Sequence, residues 1–416
     1  MDASQLKMDV IEVISGLGGT FALVRINKTQ TASSAIQTLS NMPQVEYVEP
    51  NLLVQATNVI PNDPFWPDQW NMRKVNAPAA WSMQKGSTAV RVCVIDSGID
   101  YNHPDLQANM ASGSLRTGYN AITEQNNCMD NDGHGTHCAG VIGAATNNGI
   151  GVAGLNWNIQ LVGCKFLDPN GSTFDAIKCL NWCVLTAKTK ISSNSWGGGG
   201  YTQALYDAIR DAGNNYDHLF VAAAGNSNQN IDNSPEYPAS YKLPNVIAVG
   251  NTDSSDSLYW NSNYGVQTVQ IAAPGTSILS TELDNGYTYL TGTSMSCPHV
   301  SGAAALLRAQ DSGLKYSQIK TFLLNGADVI PSLSGLIGGS RRLNVLGALN
   351  EAISPSPPPP LPSPTPPSPS PTPSPTGNSV VGVNSLGEIY YTADITSPAW
   401  VRVTGELRAL SMSIQT

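Results

Sequence analysis

Short apolar runs alternate with amphipathic stretches along most of this chain. Five runs are bounded by Gly, Asn or Asp and have the length of buried strands: Val90–Ile95, Ile159–Phe166, Leu219–Ala224, Val246–Val249 and Val269–Ala272. Helical patterns lie between several of them, for example over 174–187 and 202–212. This order predicts an α/β fold class, with a mostly parallel twisted sheet flanked by helices. Functional side chains are then expected at the carboxyl ends of the strands.

A smaller unit precedes this region. The pattern over 1–57 predicts an α+β fold with strands at Val10–Ile14, Thr20–Ile26 and Val45–Pro50 and a helix at Thr31–Leu39. The polar, proline-containing passage Ile60–Phe65 follows it and indicates a domain boundary.

The C-terminal part changes composition. Residues 354–376 are almost entirely Pro, Ser and Thr, which predicts an extended polyproline spacer of about 70 Å with many hydroxyls for O-glycosylation. Residues 377–416 return to a β-like alternation. A segment of this length is too short for an independent sheet domain unless it joins further repeats.

Charge and cysteine content narrow the function classes. The formal net charge of -9 argues against nucleic acid as a partner, and no apolar run is long enough for a transmembrane segment. The seven cysteines form no CxxC pair, so a zinc framework is not expected. Their odd number leaves at least one without a partner in the chain, and most are predicted to be small buried thiols.

The segment Gly292–Val300, GTSMSCPHV, precedes a run of small residues that predicts a tightly packed, buried helix. Ser294 therefore lies near a helix N-terminus, where free N–H groups and the helix dipole stabilise an alkoxide or an oxyanion. Thr293 and Ser294 are also residue types that cap helices. This segment by itself does not distinguish a nucleophile from a cap.

Three other segments end in side chains that acyl transfer requires. Asp96 follows a buried strand within VIDSG, His134 begins a small-residue helix within DGHGTHCAG, and Asn226 ends an apolar strand within AAAGN. Each has an ordinary explanation as a turn or helix-start residue. Together with Ser294 they supply a nucleophile, a base, a carboxylate to hold the base and an oxyanion donor, in the chain order Asp, His, Ser.

Through the motifs VIDSG, HGTHCAG, SWGGG, AAAGN and GTSMSCPHV, the chain resembles the subtilisin family of serine endopeptidases. The resemblance implies catalytic roles for Asp96, His134 and Ser294, and an oxyanion role for Asn226 beside the backbone N–H of Ser294. His137 corresponds to a structural position of the family, so His134 is the expected base. A metal site formed by the two histidines would lack a third ligand in the sequence.

The same resemblance implies a domain organisation. Residues 8–56 resemble the family's N-terminal pro-domain, an inhibitor and folding chaperone, and a permanent accessory domain is the alternative. Maturation is expected between about Gln55 and Asn62. The predicted parts are a pro-domain with its maturation segment over 1–61, a catalytic domain over 62–353, the linker over 354–376, and a β-rich tail over 377–416 that resembles one blade of a tectonin-type propeller.

Three segments, 62–65, 103–106 and 146–152, resemble the thermitase-like branch of the family, in which they share one structural calcium ion. The implied ligands are side-chain oxygens of Asp63, Asp105 and Asn148 and carbonyl oxygens of Ala145, Ile150 and Val152. Calcium prefers such an oxygen shell, although ordinary turn chemistry in three loops is the alternative. Asp132, next to the expected base, is interpreted as a solvated loop charge.

The resemblance also implies a substrate cleft. Backbone on its two edges would pair with an extended peptide as an added strand. The residues expected to line the cleft and its specificity pocket are Gly171, Ser172, Ser195, Trp196, Gly197, Gly198, Ala224, Gly225 and Glu236. Glu236 falls at the floor of that pocket, before a Tyr237–Pro238 bond that resembles one that is cis in the family. A carboxylate there would favour Lys or Arg in the substrate, unless the side chain turns to solvent.

Two cysteines are expected within reach of the site, since Cys138 lies one helical turn after His134 and Cys297 lies three residues after Ser294. Inhibition by mercurials is predicted. A cysteine-protease mechanism is not, because neither cysteine occupies the nucleophile position. The sequence leaves open a disulfide between the two.

The sequence as a whole predicts a secreted serine endopeptidase that is made as a zymogen and acts through an acyl-enzyme intermediate. Its expected partners are protein or peptide substrates and its own pro-domain as an intramolecular inhibitor. The Pro-rich spacer resembles linkers of algal and plant wall glycoproteins, which favours an extracellular or cell-wall location and a C-terminal region that binds wall glycoprotein or carbohydrate. The start of the chain, Met1–Lys7, carries no secretory apolar core. The alternatives are a catalytically silent scaffold that carries a binding module, and an intracellular processing enzyme.

Overall fold

A computed structural model describes residues 8–16, 19–26, 32–43, 45–49, 58–353, 380–383, 389–392 and 401–402. The chain divides into two units, Met1–Ser356 and Pro357–Thr416. The Pro-rich spacer over 354–376 and residues 55–57 of the predicted maturation segment lie outside the described residues.

The N-terminal unit predicted from the sequence is largely confirmed. Strands β1 (Met8–Gly16) and β2 (Gly19–Ile26) form an antiparallel hairpin, and helix α1 covers Ala32–Ser40. The third strand predicted at Val45–Pro50 is wrong, because the described residues 45–49 form no strand. Alternation of apolar and polar side chains produces a strand only where a neighbouring backbone supplies hydrogen bonds, and no described segment pairs with 45–49.

The following strands build a nine-stranded sheet and a separate hairpin. In chain order they are β3 (Gly86–Asp96), β4 (Tyr119–Asn120), β5 (Asn158–Lys165), β6 (Ile191–Asn194), β7 (Leu219–Ala223), β8 (Val246–Thr252), β9 (Ile271–Pro274), β10 (Ile278–Glu282), β11 (Gly286–Leu290), β12 (Asp328–Val329) and β13 (Arg341–Arg342). The sheet order is β12-β13-β9-β8-β7-β6-β3-β5-β4, and every neighbouring pair is parallel except β12 with β13. Strands β10 and β11 pair with each other. The predicted mostly parallel sheet is therefore confirmed.

Helices cover both faces of this sheet. They are α2 (Trp70–Lys74), α3 (Ala77–Ala80), α4 (His134–Gly143), α5 (Thr173–Asn181), α6 (Gln203–Tyr216), α7 (Thr293–Gln310), α8 (Tyr316–Asn325) and α9 (Val345–Ile353), and one turn of π-helix, Trp182–Thr186, continues α5. Short 3₁₀ turns lie at Trp66–Asp68, Gly113–Leu115, Pro331–Leu333 and Gly338–Ser340.

Strand β3 shows why both faces are covered. Val92 and Val94 pack into the cluster that holds α4 and α7, whereas Cys93 and Ile95 pack into the cluster that holds α5 and α6. All four side chains are fully buried. Successive side chains of a strand point to opposite faces, so a continuous apolar run requires a layer on each side.

The cysteine interpretation is corrected by the fold. Cys93 pairs with Cys183 and Cys164 pairs with Cys179, while Cys128, Cys138 and Cys297 are free and buried. The partners lie 90 and 15 residues apart in sequence, and α5 and its π-helical extension pack on β3 and β5. This packing brings the two Cα pairs to 6.0 and 5.6 Å, within the range that a disulfide needs. Most of the seven cysteines are therefore not free thiols.

In the second unit, β14 (Val380–Val383), β15 (Ile389–Thr392) and β16 (Val401–Arg402) form an antiparallel sheet. The β-like alternation of the tail is confirmed, and its resemblance to a propeller blade stays a prediction. Among the described residues, no helix has the length and apolar character that a membrane span requires.

Candidate active site

Asp96 and His134 form a close pair at the carboxyl end of the central sheet. Asp96 is the last residue of β3 and is fully buried, and His134 is the first residue of α4. His134 Nδ1 lies 2.7 Å from Asp96 Oδ1, and Ser97 N donates to the same carboxylate oxygen at 2.7 Å. The Asp96 charge raises the pKa of His134, and this effect exceeds the opposing effect of burial. The carboxylate thus fixes the ring through Nδ1 and stabilises its protonated form.

Helix α4 begins where the sequence predicted. Gly133 at its N-terminus has a φ of 100°, a left-handed conformation that favours glycine, and this turn brings the chain into the helix. Asp132 is exposed and its Oδ1 accepts a hydrogen bond from His134 N at 3.3 Å. The interpretation of Asp132 as an exposed loop charge is confirmed.

Ser294 is the second residue of α7, so the predicted helix start is confirmed. Its Oγ donates to the carbonyl oxygen of Ser195 at 3.2 Å, and its own carbonyl accepts from Ser195 Oγ at 2.8 Å and from Cys138 Sγ at 3.4 Å. Cys138 lies close to the Asp96–His134 pair. Its Sγ, a ring nitrogen of His134 and a carboxylate oxygen of Asp96 all lie within 4.8 Å of one another. Ser294 therefore contacts a cysteine that lies against the Asp96–His134 pair.

No hydrogen bond between described residues joins the Ser294 hydroxyl to His134. The hydroxyl is turned toward Ser195 O, and rotation about its Cα–Cβ bond would redirect it. Hydrogen bonds between a nucleophile and its base are often long before substrate binds. The arrangement has the parts needed to activate a hydroxyl, with the serine turned aside.

Asn226 follows β7 after Gly225, whose φ of 100° is again left-handed. Its Oδ1 accepts from Thr293 N at 2.9 Å and from Thr293 Oγ1 at 3.1 Å. Because a backbone N–H can only donate, these contacts identify the accepting atom as the amide oxygen. Nδ2 is then the atom with which Asn226 donates to a ligand. Thr293, considered in the sequence only as a cap, orients the amide.

The two edges of the predicted cleft are exposed, from Gly171 to Thr173 and from Gly197 to Gly200. Ser172 caps α5, since its Oγ accepts from Asp175 N at 3.1 Å. The Trp196 ring packs against Phe166 and Phe220, with ring centroids 5.0 and 6.3 Å apart. The side chains of Ser172 and Trp196 therefore stabilise the fold. The backbone of these edges is the part that can pair with a peptide.

Glu236 lies between the two segments predicted to form the pocket walls. A Cβ built on Gly225 would lie 2.5 Å from Glu236 Oε1, and one built on Gly197 would lie 3.1 Å from the same atom. Asn263 Nδ2 donates to Glu236 Oε2 at 2.6 Å, and burial raises the pKa of this half-buried carboxyl. The predicted cis bond between Tyr237 and Pro238 is confirmed. Asn263 was missed in the sequence, where nothing links it to Glu236.

The predicted calcium segments meet around two buried carboxylates. Asp63 accepts from Asn147 N at 2.8 Å and from Asn148 N at 3.2 Å. Asp105 accepts from Asn148 Nδ2 at 2.8 Å and from Val152 N at 2.9 Å. Ala145 N donates to the Asp105 carbonyl at 2.7 Å, and Ile150 N donates to Asn148 Oδ1 at 2.9 Å. All six predicted ligand residues thus belong to one hydrogen-bonded loop cluster.

The charges of the two buried carboxylates in this cluster indicate whether it could hold a cation. Burial raises the pKa of Asp105 to about 6, with a further contribution from the Asp63 charge, and burial also raises the pKa of Asp63. Neither carboxylate forms an ion pair with a described residue. Two buried acids that contact only neutral groups fit a divalent cation. Tyr287, which the sequence did not single out, lies 3.4 Å from Asp105 Oδ2 through its hydroxyl.

His137 and the two nearby cysteines are buried side chains. His137 Nε2 contacts the Ile278 carbonyl at 2.9 Å, and burial lowers the pKa of its ring to about 4. Cys138 and Cys297 do not form a disulfide, and burial raises the pKa of both thiols. His137 therefore stays neutral and structural, as interpreted from the sequence, and neither cysteine has the lowered pKa of a reactive thiol.

Known protein families share both the N-terminal region and the region that holds this site. Residues 87–351 match the Subtilase family, and residues 2–51 match the Fervidolysin N-terminal prodomain. The chain is similar to Thermophilic serine proteinase from Bacillus sp. (strain AK1), with 38% identity over 305 residues that cover 73% of this chain and 72% of that protein. It is also similar to Thermitase from Thermoactinomyces vulgaris, with 37% identity over 291 residues, or 70% of this chain and 99% of that protein.

A solved structure supports the same relationship. The protease from Pseudoalteromonas arctica PAMC 21717 aligns with a TM-score of 0.63 and 27% identity, over 70% of this chain and 99% of that chain.

Proposed function

Because the chain belongs to the subtilase family and is a serine-type endopeptidase, we propose that Asp96, His134 and Ser294 form its catalytic triad. The contact of 2.7 Å between the buried Asp96 and His134, beside the N-terminus of α7, is the observation that carries this proposal. Asn226 is the oxyanion donor, since Thr293 occupies its amide oxygen.

The reaction begins when Ser294 Oγ leaves Ser195 O and turns to His134 Nε2. His134 takes the hydroxyl proton as Oγ attacks the carbonyl carbon of the substrate, and Asp96 stabilises the imidazolium that forms. The oxyanion of the tetrahedral intermediate accepts hydrogen bonds from Asn226 Nδ2 and from the backbone N–H of Ser294. His134 then gives its proton to the leaving amine. In the second half of the reaction, water takes the place of the amine. His134 removes its proton as the water oxygen attacks the acyl carbon, and His134 then returns the proton to Ser294 Oγ as the acyl group leaves.

The peptide binds in extended form along the backbone at Gly171–Ser172, which is exposed, and at Ser195–Gly197, of which Gly197 is exposed. The side chain before the cleaved bond enters between Trp196–Gly198 and Ala224–Gly225, with Glu236 at the floor. The exposure of Gly171, Ser172 and Gly197 supports this placement, because main-chain pairing needs accessible N–H and C=O groups.

Calcium would be held by Asp63, Asp105 and Asn148 with the carbonyls of Ala145, Ile150 and Val152. The support is the pair of buried carboxylates without a cationic side chain among the described residues. Asn148 would bind the ion through its amide oxygen, so that oxygen would have to face the ion. When bound, the ion would neutralise the two carboxylates and join three loops.

The remaining parts of the chain regulate or target this activity. Residues 1–61 act as a pro-domain and maturation segment that inhibits the catalytic domain over 62–353 until it is cut. The linker over 354–376 carries the tail over 377–416, which binds wall glycoprotein or carbohydrate. The enzyme is extracellular. The match of residues 2–51 to a prodomain family supports the zymogen, and the composition of the linker supports the wall context.

Labelling with a fluorophosphonate probe, combined with cleavage of a protein substrate, tests the triad. The active chain should be labelled on Ser294, and Ser294→Ala should lose both labelling and cleavage. Ser114→Ala, which removes an exposed hydroxyl outside the site, should keep both. Labelling that persists in Ser294→Ala would overturn the assignment. A chain that is folded and cut but unlabelled would be a silent scaffold.

A further inference from the structure

The walls of the specificity pocket are tied to the residues that flank Ser294. Ser195, which precedes one wall, exchanges two hydrogen bonds with Ser294. Gly225 in the other wall donates its N–H to Thr293 Oγ1 at 3.1 Å. A group held between the two walls is therefore positioned to contact the side chain that precedes the cleaved bond.

The Glu236 carboxylate is that group, and its position is fixed. Its Oε2 accepts from Asn263 Nδ2, while its backbone N–H donates to Ser240 Oγ at 3.0 Å. Asn263 is itself held, because Nδ2 donates to Ala224 O at 2.9 Å and Oδ1 accepts from Ser227 N and Gln229 N at 3.0 and 2.9 Å. These contacts exclude a carboxylate that is simply turned to solvent in this structure.

The second carboxylate oxygen, Oε1, faces glycine on both sides. It lies where a Cβ on Gly225 or Gly197 would collide or crowd. Gly225 has a left-handed φ as well, so two independent constraints favour glycine at this wall. With glycine at both positions, no side chain from either residue covers Oε1.

No described lysine, arginine or histidine forms an ion pair with Glu236. A half-buried carboxylate with one neutral donor is poorly compensated, and a cation brought by a ligand would complete it. Long cationic side chains have the charge and the donors to do so, and charge-assisted hydrogen bonds are stronger than neutral ones.

We propose that Glu236 makes this endopeptidase prefer Lys or Arg immediately before the cleaved bond. The inference rests on the proposed function, because the pocket is defined relative to Ser294. Glu236 acts on substrate choice and takes no part in bond cleavage. Apolar side chains at the same position would bury against an uncompensated carboxylate, and acidic ones would be repelled.

The test uses the mature enzyme and peptides that differ only in the residue before the cleaved bond: Arg, Lys, Leu, Phe or Glu. The kcat/KM for Arg and Lys should exceed that for Leu and Phe by at least about tenfold. Glu236→Gln should lower kcat/KM for the Arg and Lys peptides by about 10- to 100-fold and change the Leu value by less than about threefold. Glu124→Gln, which removes an exposed carboxylate paired with Lys178, is the matched control for net charge and should leave the profile unchanged.

Rates are expressed per site labelled by a fluorophosphonate, so a partly misfolded variant does not imitate a loss of specificity. Glu236→Met supplies a second variant of similar length and should shift the preference to Leu and Phe. Cleavage of the Leu and Phe peptides with no basic preference in the wild type, or a basic preference that survives in both variants, would overturn the inference and leave the protease assignment intact. Absence of labelling and of all cleavage would instead contradict the proposed function.

Discussion

Two regions of this molecule that hold buried acids balance the charge of those acids differently. Asp96 has a histidine from its own chain at 2.7 Å. Asp63 and Asp105 contact backbone N–H groups, an amide and a tyrosine hydroxyl, and burial together with the Asp63 charge raises the pKa of Asp105. The first site is complete within the polypeptide, whereas the second lacks a cation among the described side chains.

This difference implies that the acid paired with His134 matters for turnover, whereas the acids of the loop cluster matter for stability. Asp96 and His134 hold each other through groups of the same chain, as the proposed role of His134 as a base in every turnover would require. An external cation, if the proposed calcium site is correct, would make the stability of the loop cluster depend on the concentration of that ion, because the ion would bind only the folded chain. Removing an acid should therefore affect turnover in one region and thermal stability in the other.

The largest effect is expected for Asp96→Asn. The amide keeps the shape of the side chain but supplies no charge for His134, so kcat should fall by about 10⁴-fold while Tm changes little. Steady-state kinetics and thermal unfolding of the same preparation measure both. Asp132→Asn, which changes the exposed acid that contacts His134 N, is the matched control and should lose less than about tenfold. Equal losses in the two variants would remove the distinction between these acids.

The pH profile sharpens this result. His134 acts as a base only when neutral, so activity should rise as pH increases through its pKa. The Asp96 charge raises that pKa, and the residual activity of Asp96→Asn should therefore rise at lower pH than wild-type activity does. A profile that stays in place would show that another group controls the titration.

A neutral group in the same site gives the next largest effect. Asn226→Ala removes a donor to the oxyanion without changing charge, so kcat should fall by about 10²- to 10³-fold with little change in KM. Kinetics on one peptide substrate measure the split. Asn233→Ala, at an exposed position of a nearby loop, should behave as wild type. A loss confined to KM would mean that Asn226 binds the substrate ground state.

Chelation tests the second region. Removal of calcium should lower Tm, because an ion at about 100 times its Kd stabilises the fold by about 2.7 kcal/mol. Asp105→Asn and Asp63→Asn should reduce the difference in Tm between calcium and chelator, measured by thermal unfolding. Asp284→Asn, in the exposed turn between β10 and β11, should retain the full difference. A wild-type Tm that does not respond to calcium would contradict a cation in this cluster.

The smallest change is expected for Cys138→Ala. The thiol donates a long hydrogen bond to Ser294 O and takes no part in the chemistry, so kcat/KM should change by less than about threefold. Mercurials should inhibit the wild type, since a metal on this sulfur lies against His134 and Asp96, and should inhibit the variant much less. Cys128→Ala is the control, because Cys128 is also free and buried. Inhibition that is equal in all three proteins would exclude Cys138 as the target.

Local patterns predicted the sheet, the starts of α4 and α7 and the residues at strand ends. Asp96 and Asn226 could be predicted because each follows an apolar run that forms a buried strand, and the carboxyl ends of parallel strands lie at one edge. His134 could be predicted because it begins a small-residue helix. The strand wrongly predicted at Val45–Pro50 has the same apolar pattern, but no described strand lies beside residues 45–49. A single-chain pattern contains no information on the pairing partner.

The remaining features depend on contacts between distant segments. Cys93 and Cys183 meet only after α5 packs on β3, and Asn263 reaches Glu236 through a loop 27 residues later in the chain. The orientation of the Asn226 amide is set by its contact with Thr293, which belongs to another element. Side-chain partners of this kind follow from the tertiary fold, and residue spacing does not predict them.

The acid between Gly197 and Gly225 has a consequence for activation of the precursor. The sequence contains neither Lys nor Arg between Lys28 and Arg73, a stretch that includes the whole predicted maturation segment. A first, internal cut in the maturation segment would leave a residue with an uncharged side chain at the new C-terminus. That side chain could not form a salt bridge with Glu236. The severed inhibitor would then compete weakly with basic substrates for the pocket, so product inhibition by the released pro-domain would be short-lived.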